Sequence, residues 1–412
     1  MYSGEDTPRL RYIAGFIFTG ILGLSIEFTT DKRKLGKHKI INYSSENIKG
    51  SLKIYPDTLL FETGISSKDI SISQWKGLPV FFPTSSDSDI PFDILAASFY
   101  LITRYEEYLK FEPDEFGRFR ASSSVAFKNE FLQIAVVDRW VNELAKVLLL
   151  KFNTLAFRRN EYKAMLTINA DQPFVISGIN LVRSLGGIFR DKTKGFPEKD
   201  PFEVFEYIER LGINSNIRYF FPVGDNSQYD KNPSWKNKEY RKLIQNTASR
   251  FETGLHPSLH ASDSLIVIKK EVLRLSTILE REISSGMFHY TRDISKSYRN
   301  IKKAGIKEDF SMGYPDEPGF RAGIARPYYF FDIDDNRQTT LKIFPYQITD
   351  EVLDSGGYNE EASKEMILKL INETRSAGGL FISLWHNSLL AGNKKCGKWR
   401  EVFEYTIKSQ VP

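Results

Sequence analysis

Beyond residue 158, short apolar runs alternate with longer amphipathic segments, and this alternation restricts the fold more than any other feature of the chain. The strand-like runs lie at 163–169, 216–221, 252–255, 342–344 and 380–384, and helical segments lie at 201–211, 235–251, 262–283 and 360–375. Strands separated by helices form parallel sheets, because each helix returns the chain to the end of the sheet from which it started. The pattern predicts an α/β fold for residues 158–412, with an open or a barrel-shaped sheet.

Residues 1–157 have a different order of predicted strands and helices. Strand-like runs at 39–43, 59–63 and 79–82 come before two predicted helices at 92–109 and 138–152. A chain of 412 residues is also too long for one average domain. We therefore expect a smaller α+β domain at residues 1–157, with no group of residues that would carry chemistry. The cluster TRYEEY at 103–108 is interpreted as a helix surface or an interdomain contact.

Charge and cysteine content exclude several classes of function. The net charge is +5, and lysine and arginine are scattered among acids, so nothing indicates nucleic-acid binding. The single cysteine, Cys396, excludes a disulfide framework and a cysteine-based zinc site. Residues 12–26 resemble the core of a signal peptide, but no small-residue cleavage site follows and the stretch is short for a bilayer. It is interpreted as a buried strand or helix, and we expect a cytoplasmic protein without a membrane span.

Titratable side chains follow three of the predicted strands. Asp171 lies in LTINADQPF, His256 and His260 lie in GLHPSLHAS, and His386 lies in LFISLWHNSLL. The carboxyl ends of parallel strands meet at one edge of a sheet, so these residues are expected to form a single site. Two histidines and one carboxylate can hold a divalent ion such as zinc with positions left for water and substrate. His386, if it is not a ligand, could donate a proton to a leaving amine.

These residues, in this order, resemble the motifs of the polysaccharide deacetylases, carbohydrate esterase family 4, which have the NodB-homology fold. The family motifs are Thr-x-Asp-Asp, H-[ST]-x-x-H, R-x-P-[FY] and a late L-x-H, and the likeness is greatest to a bacterial branch with T-H-D-x-D as its first motif. That branch carries an uncharacterised N-terminal domain like residues 1–155, so the resemblance covers essentially the whole chain. It implies a deformed (β/α) barrel, a divalent metal with zinc preferred, and an N- or O-acetylated sugar or polysaccharide as substrate.

The resemblance also implies roles for single residues. Asp171, His256 and His260 match the metal ligands, and His386 matches the general acid. The arginine that holds the base carboxylate in the family is matched, within the stretch GFRAGIARPYY, by either Arg321 or Arg326. The choice between these two arginines stays open.

One departure from the family pattern concerns the general base. The position of the family's base aspartate is occupied by Asn169, and an amide cannot accept a proton from water near neutral pH. Losing a general base lowers a rate by about a hundred- to ten-thousand-fold. The supporting arginine should then have another acid nearby, because a buried unpaired guanidinium is unfavourable. The candidates for that acid are Asp225, Asp316 and Glu317.

Three functions therefore stay open. The first is a metal-dependent deacetylase-like hydrolase, the second is a non-catalytic descendant that binds carbohydrate or a partner, and the third is a hydrolase with a relocated base. Tyr328, Tyr329 and Trp385 are interpreted either as sugar-stacking or as core residues. His289 is interpreted either as a substrate contact or as a structural residue.

Overall fold

A computed structural model describes residues 1–36, 38–171, 202–212, 216–288, 293–391 and 396–411. The strands are β1 Tyr2–Ser3, β2 Ile41–Tyr43, β3 Leu52–Lys53, β4 Ser73–Trp75, β5 Leu78–Val80, β6 Lys163–Asn169, β7 Asn216–Phe221, β8 Glu252–Leu255, β9 Ser285–Gly286, β10 Glu308–Asp309, β11 Tyr328–Asp332, β12 Arg337–Ile343, β13 Ile348–Thr349 and β14 Leu380–His386. The α-helices are α1 Pro8–Ala14, α2 Ile94–Ile102, α3 Val125–Lys128, α4 Val136–Lys151, α5 Phe202–Arg210, α6 Lys238–Ala248, α7 Leu265–Leu279, α8 Ile294–Lys303, α9 Asp350–Ser355, α10 Glu360–Ala377, α11 Asn387–Leu390 and α12 Cys396–Ser409.

One large mixed sheet dominates the second part of the chain. Its strand order in the described residues is β11-β12-β10-β9-β8-β7-β6-β14-β13, and every neighbouring pair is parallel except β11 with β12. Strand β6 lies between β7 and β14, and its last residue, Asn169, is directly opposite His386 of β14. The mixed α/β architecture predicted from the alternation is confirmed.

The expected barrel is not confirmed. Within the described ranges, β11 pairs only with β12 and β13 pairs only with β14, so the sheet has two edges and does not close. Closure requires the two edge strands to pair with each other. Strand β13 has only two residues, and β11 turns back antiparallel onto β12, so the parallel series ends at both sides.

The first part of the chain contains the parallel strands β1, β2 and β3 and the hairpin β4–β5. The apolar stretch at 12–26 is helical over most of its length, through α1 and the π-helix Gly15–Ile21. Most of its apolar residues are buried, as the buried-helix interpretation expects. No helix in the described part of the chain has both the length and the apolar character needed to cross a membrane. The strand predicted at 59–63 is wrong, because Asp57 caps a 3₁₀ helix at Thr58–Leu60.

The two parts of the chain pack against each other. The rings of Tyr12, Phe99 and Phe331 are in mutual contact, with centroids 5.0 to 6.2 Å apart. Buried residues of both parts belong to one continuous hydrophobic core. The division into domains at residues 157 and 158 stays a prediction.

The segment from Gly313 to Arg326 follows the surface of the N-terminal part. The Phe320 amide donates to the Leu132 carbonyl at 2.8 Å, and the Val137 amide donates to the Gly323 carbonyl at 2.9 Å. Gly319 adopts a φ of +154°, and a Cβ there would lie 2.5 Å from the Leu132 carbonyl oxygen, so the close approach requires glycine. These contacts hold the segment against the N-terminal part.

Candidate functional site

The carboxyl ends of three strands bring the predicted site residues to one edge of the sheet. Asn169 ends β6 and is followed closely by Asp171, His256 follows β8, and His386 ends β14. All three strands are parallel, which places their ends on the same side. Three of the residues predicted from the sequence therefore meet: Asp171 lies between the two imidazoles.

His256 has its orientation set by the backbone. Its Nδ1 lies 2.7 Å from the Met287 carbonyl oxygen, so Nδ1 must carry the hydrogen that is donated. Its Nε2 then faces Asp171 Oδ1 at 3.1 Å. Burial alone lowers the pKa of His256, but the Asp171 carboxylate and the Met287 carbonyl outweigh it, so the pKa lies above its ordinary value.

His386 is completely buried and is held by Asp350. Its Nδ1 lies 2.7 Å from Asp350 Oδ1, and its backbone amide donates to Asp350 Oδ2 at 2.8 Å. Its Nε2 lies 3.6 Å from Asp171 Oδ2 and 3.7 Å from Glu351 Oε2. Burial lowers the pKa of His386, but the charges of Glu351, Asp350 and Asp171 together raise the pKa to about 10.

Asn169 lies against the same ring. Its side chain is buried, and its Nδ2 is 3.5 Å from His386 Nε2. Its Oδ1 has no hydrogen-bond partner within the described part of the chain. Rotating the amide by 180° would place this oxygen on Nε2, where it accepts the hydrogen of a protonated imidazole. Asn169 can therefore support His386 as a proton donor, but it supplies no basic group.

The pair Asp171 and His256 fits one divalent ion. Two atoms that are each about 2.0–2.2 Å from one zinc ion lie about 3.3–3.5 Å apart at a tetrahedral angle. The 3.1 Å between His256 Nε2 and Asp171 Oδ1 is close to that separation. A histidine that ligates a metal also usually donates its other N–H to a carbonyl or carboxylate, as His256 does to Met287.

His260 is not part of this arrangement. It lies in the 3₁₀ helix Leu259–Ala261 and is exposed. In the described residues, the group of three potential ligands whose atoms all lie within 4.8 Å of one another is Asp171, Glu351 and His386. The loop before His260 is held by α7, since the Ser258 amide and hydroxyl donate to the carboxylate of Glu271 at 3.0 and 2.5 Å. The role of His260 as a ligand stays a prediction.

The structure separates the two candidate arginines. Arg321 is buried and lines a cavity that Asn169 also lines. Arg326 pairs with Asp138 and donates to the Ala377 carbonyl at 2.6 Å, beside the amino-terminal end of β14. Of the two alternatives left open by the sequence, the one at the candidate site is Arg321.

The acid that compensates Arg321 comes from the N-terminal part. Arg321 Nε and Nη2 donate to the two carboxylate oxygens of Glu107 at 2.8 and 2.6 Å. An acid was expected beside this arginine, but Asp225, Asp316 and Glu317 do not fill the position. Asp225 pairs with two basic residues of α7, and Asp316 accepts from a backbone amide of the N-terminal part. Glu107 belongs to the TRYEEY cluster, which therefore makes an interdomain contact.

The cavity has a volume of about 420 Å³, which lies within the range of small-molecule sites in proteins. Its wall contains Asn169, Arg321, Glu351 and Tyr346 of the second part and Arg118 of the N-terminal part. Both parts of the chain therefore contribute to it.

The aromatic residues suggested for sugar stacking lie outside this cavity. Trp385 is buried against Phe403, and its Nε1 donates to Ser383 Oγ at 3.0 Å. Tyr328 and Tyr329 line a different cavity, together with Arg326 at the amino-terminal end of β14. The core-packing interpretation therefore fits Trp385. His289 lies outside the described residues.

Two residues of the site were missed in the sequence. Asp350 and Glu351 are the first residues of α9, directly after β13. The only signal was the run Ile348-Thr349-Asp350-Glu351, and a Thr followed by acids is also typical of an ordinary helix start, which Thr349 indeed caps.

Comparisons with known proteins give a family match for the N-terminal part and distant structural neighbours that cover about 60% of the chain. A family model described as a family of unknown function, DUF7033, matches residues 1–153. No curated protein matches the chain.

Among solved structures, a putative polysaccharide deacetylase from Mycobacterium smegmatis is 13% identical, with 60% of this chain and 84% of that chain covered and a TM-score of 0.38. A putative polysaccharide deacetylase involved in O-antigen biosynthesis from Bordetella bronchiseptica is 12% identical, with 60% and 84% covered and a TM-score of 0.33. A 4-alpha-glucanotransferase from Thermococcus litoralis is 14% identical, with 61% and 37% covered and a TM-score of 0.37. At these scores the neighbours carry no assignment of activity to this chain.

Proposed function

We propose that the chain is a metal-dependent hydrolase of the deacetylase type, which removes acetyl groups from an N- or O-acetylated sugar or polysaccharide. The observation that carries this proposal is the meeting of Asp171, His256 and His386 at the carboxyl ends of three parallel strands. Each imidazole has its Nδ1 hydrogen fixed by a neighbouring oxygen and turns its Nε2 toward Asp171.

Asp171 and His256 would hold the metal, with zinc preferred for this donor set. The resemblance adds His260 as a third ligand, which would require its loop to turn toward Asp171. A bound zinc ion would polarise an acetyl carbonyl and acidify water.

His386 is placed to give a proton to the leaving nitrogen or oxygen. Asp350 holds its Nδ1, and Nε2 lies beside Asn169 of the cavity wall. An imidazole whose Nδ1 is fixed by a buried carboxylate keeps one orientation throughout the transfer, which is the requirement for a positioned acid. Arg321 forms part of the cavity wall, and its charge is compensated by Glu107.

The experiment that tests the proposal is acetate release from chitotetraose and from acetylated xylan, with zinc added or removed by a chelator. We expect zinc-dependent release by the unmodified chain and also by Asn169→Asp, which places a carboxylate beside His386. Asn336→Asp is the matched control, because it makes the same change in the β11–β12 turn, before the amino-terminal end of β12. Absence of release by both the unmodified chain and Asn169→Asp would refute the proposal.

A second candidate function is supported by Asn169 itself. A chain that has lost its base can keep the cavity and the metal and bind an acetylated carbohydrate without turnover. Saturable binding of chitotetraose by the unmodified chain, with acetate release only after Asn169→Asp, would favour this candidate.

A further inference from the structure

The described site contains a proton donor in His386 but an amide where a base is expected. A hydrolase needs a group that removes a proton from the attacking water, and Asn169 cannot do so. A carboxylate elsewhere in the cavity would restore the missing function.

We propose that Glu351 is the general base of this site, in the role that Asn169 cannot fill. The inference rests on the proposed hydrolase function and names a further catalytic residue for it. Glu351 is the second residue of α9 and lines the same cavity as Asn169. Its Oε2 lies 3.7 Å from His386 Nε2.

The start of α9 places two carboxylates on the two sides of one imidazole. Asp350 binds Nδ1 of His386 and is completely buried, so it is a positioning group. Glu351 faces the opposite nitrogen, and 44% of its side chain is exposed, so water and substrate can reach it. Asp350 therefore orients His386, and the adjacent residue Glu351 lies beside the nitrogen of His386 that transfers the proton.

Two other carboxylates lie near the imidazole, and their positions differ from that of Glu351. Asp171 lies between His256 and His386, and both oxygens of Asp350 are bound by His386. Of the described carboxylates, Glu351 is the one that both lines the cavity and lies within 4 Å of His386 Nε2. A second observation also points into this site, namely the buried Asn169 Oδ1, which has no partner in the described residues.

The proposed reaction balances with water as the only co-reactant. Glu351 removes a proton from water while the water oxygen forms a bond to the acetyl carbonyl carbon. The bond from that carbon to the sugar nitrogen or oxygen then breaks, and the leaving atom takes the proton of His386 Nε2. The proton on Glu351 passes to His386 across the short gap between them, so both groups return to their starting states. The products are acetate and the free amine or hydroxyl group.

The test measures acetate release from chitotetraose and acetylated xylan by Glu351→Gln, together with bound zinc and the thermal unfolding midpoint. We expect the kcat to fall by about a hundred- to ten-thousand-fold, with bound zinc and the midpoint unchanged. Glu361→Gln is the matched control, because Glu361 is an exposed first-turn residue of α10 outside the cavity wall, and its kcat should change less than threefold.

The decisive variant is the double substitution Asn169→Asp with Glu351→Gln. If Glu351 is the base, the kcat of the double variant should be at least tenfold higher than that of Glu351→Gln, because the Asn169→Asp change supplies the missing carboxylate. A purely structural defect at position 351 would not be rescued in this way. Retained activity in Glu351→Gln, loss of its zinc, or absence of rescue would each overturn the inference while leaving the hydrolase proposal standing.

Two further outcomes separate the proposals. An inactive unmodified chain with an active Asn169→Asp variant overturns the role of Glu351 alone, because the remaining machinery then works once a base is supplied. Inactivity of both overturns the hydrolase proposal and, with it, the role of Glu351.

Discussion

The ion pair between Glu107 and Arg321 joins the two parts of the chain at the cavity wall, and its removal should be strongly destabilising. Glu107 accepts from Arg104 Nε at 2.7 Å and from Arg321 Nε and Nη2 at 2.8 and 2.6 Å. All three side chains are at most 5% exposed. Burial raises the pKa of Glu107, but the charges of Arg321 and Arg104 outweigh it and lower the pKa, so the group is ionised at neutral pH.

Glu107→Gln removes the charge while preserving the shape. The amide oxygen can still accept a hydrogen bond, but its NH₂ group would face guanidinium donors, and Arg321 would lose its anionic partner. Breaking one side of a buried ion pair lowers the free energy of unfolding by about 3–5 kcal/mol. That is a large fraction of the total stability of a typical protein, about 5–15 kcal/mol.

Equilibrium urea unfolding at pH 7, followed by tryptophan fluorescence and by circular dichroism, measures this loss. Glu143→Gln is the control, because its partner Lys146 is 69% exposed and such pairs contribute about 0–1 kcal/mol. The double variant Glu107→Leu with Arg321→Met should be less destabilised than Glu107→Gln, since no buried charge at position 321 is then left unpaired. A loss of less than about 1 kcal/mol in Glu107→Gln would refute this account of the interface.

Two further predictions concern the metal and the pH dependence of stability. His256→Ala should lose stoichiometric zinc by elemental analysis, whereas the exposed position of His260 leads us to expect a smaller loss in His260→Ala; equal losses would show that His260 is a ligand. Burial, which outweighs hydrogen bonds from Tyr43 and backbone amides, raises the pKa of Asp93 from 3.8 to about 6. The folded state then holds this proton between pH 3.8 and about 6 while the unfolded state has released it, so the contribution of Asp93 to stability is present at low pH and is lost as the pH rises through this window. The unfolding free energy of the unmodified chain, relative to that of Asp93→Asn, should therefore fall by up to about 3 kcal/mol as the pH rises from 4 to 6.5. A relative stability that does not change with pH would contradict the prediction.

Several elements and part of the site could be predicted from local patterns. The bounds of β6, β7 and β8 were predicted to the residue, because an apolar run between polar residues is visible in the sequence itself. Asp171, His256 and His386 could be assigned to one edge because parallel strands share a direction. Strands of only two residues, such as β9, β10 and β13, have no such pattern and were missed.

The partners of the site residues could not be predicted in the same way. The choice between Arg321 and Arg326 depended on the path of the 313–326 segment, which is set by contacts with the N-terminal part. Glu107 is 214 residues away from Arg321 in the sequence. The local sequence around each residue does not identify its partner, since any buried acid could have formed the ion pair with the arginine.

The sequence by itself determined the α/β class, the principal strands and the three side chains that follow them, because periodicity and residue type act over a few neighbouring positions. The tertiary structure decided that the described sheet stays open, that Asp350 holds His386, and that Glu351 faces the same imidazole as Asn169. These features depend on the pairing of strands and the docking of segments far apart in the chain. They are selected by the burial and hydrogen bonding of the whole fold, which no short stretch of sequence contains.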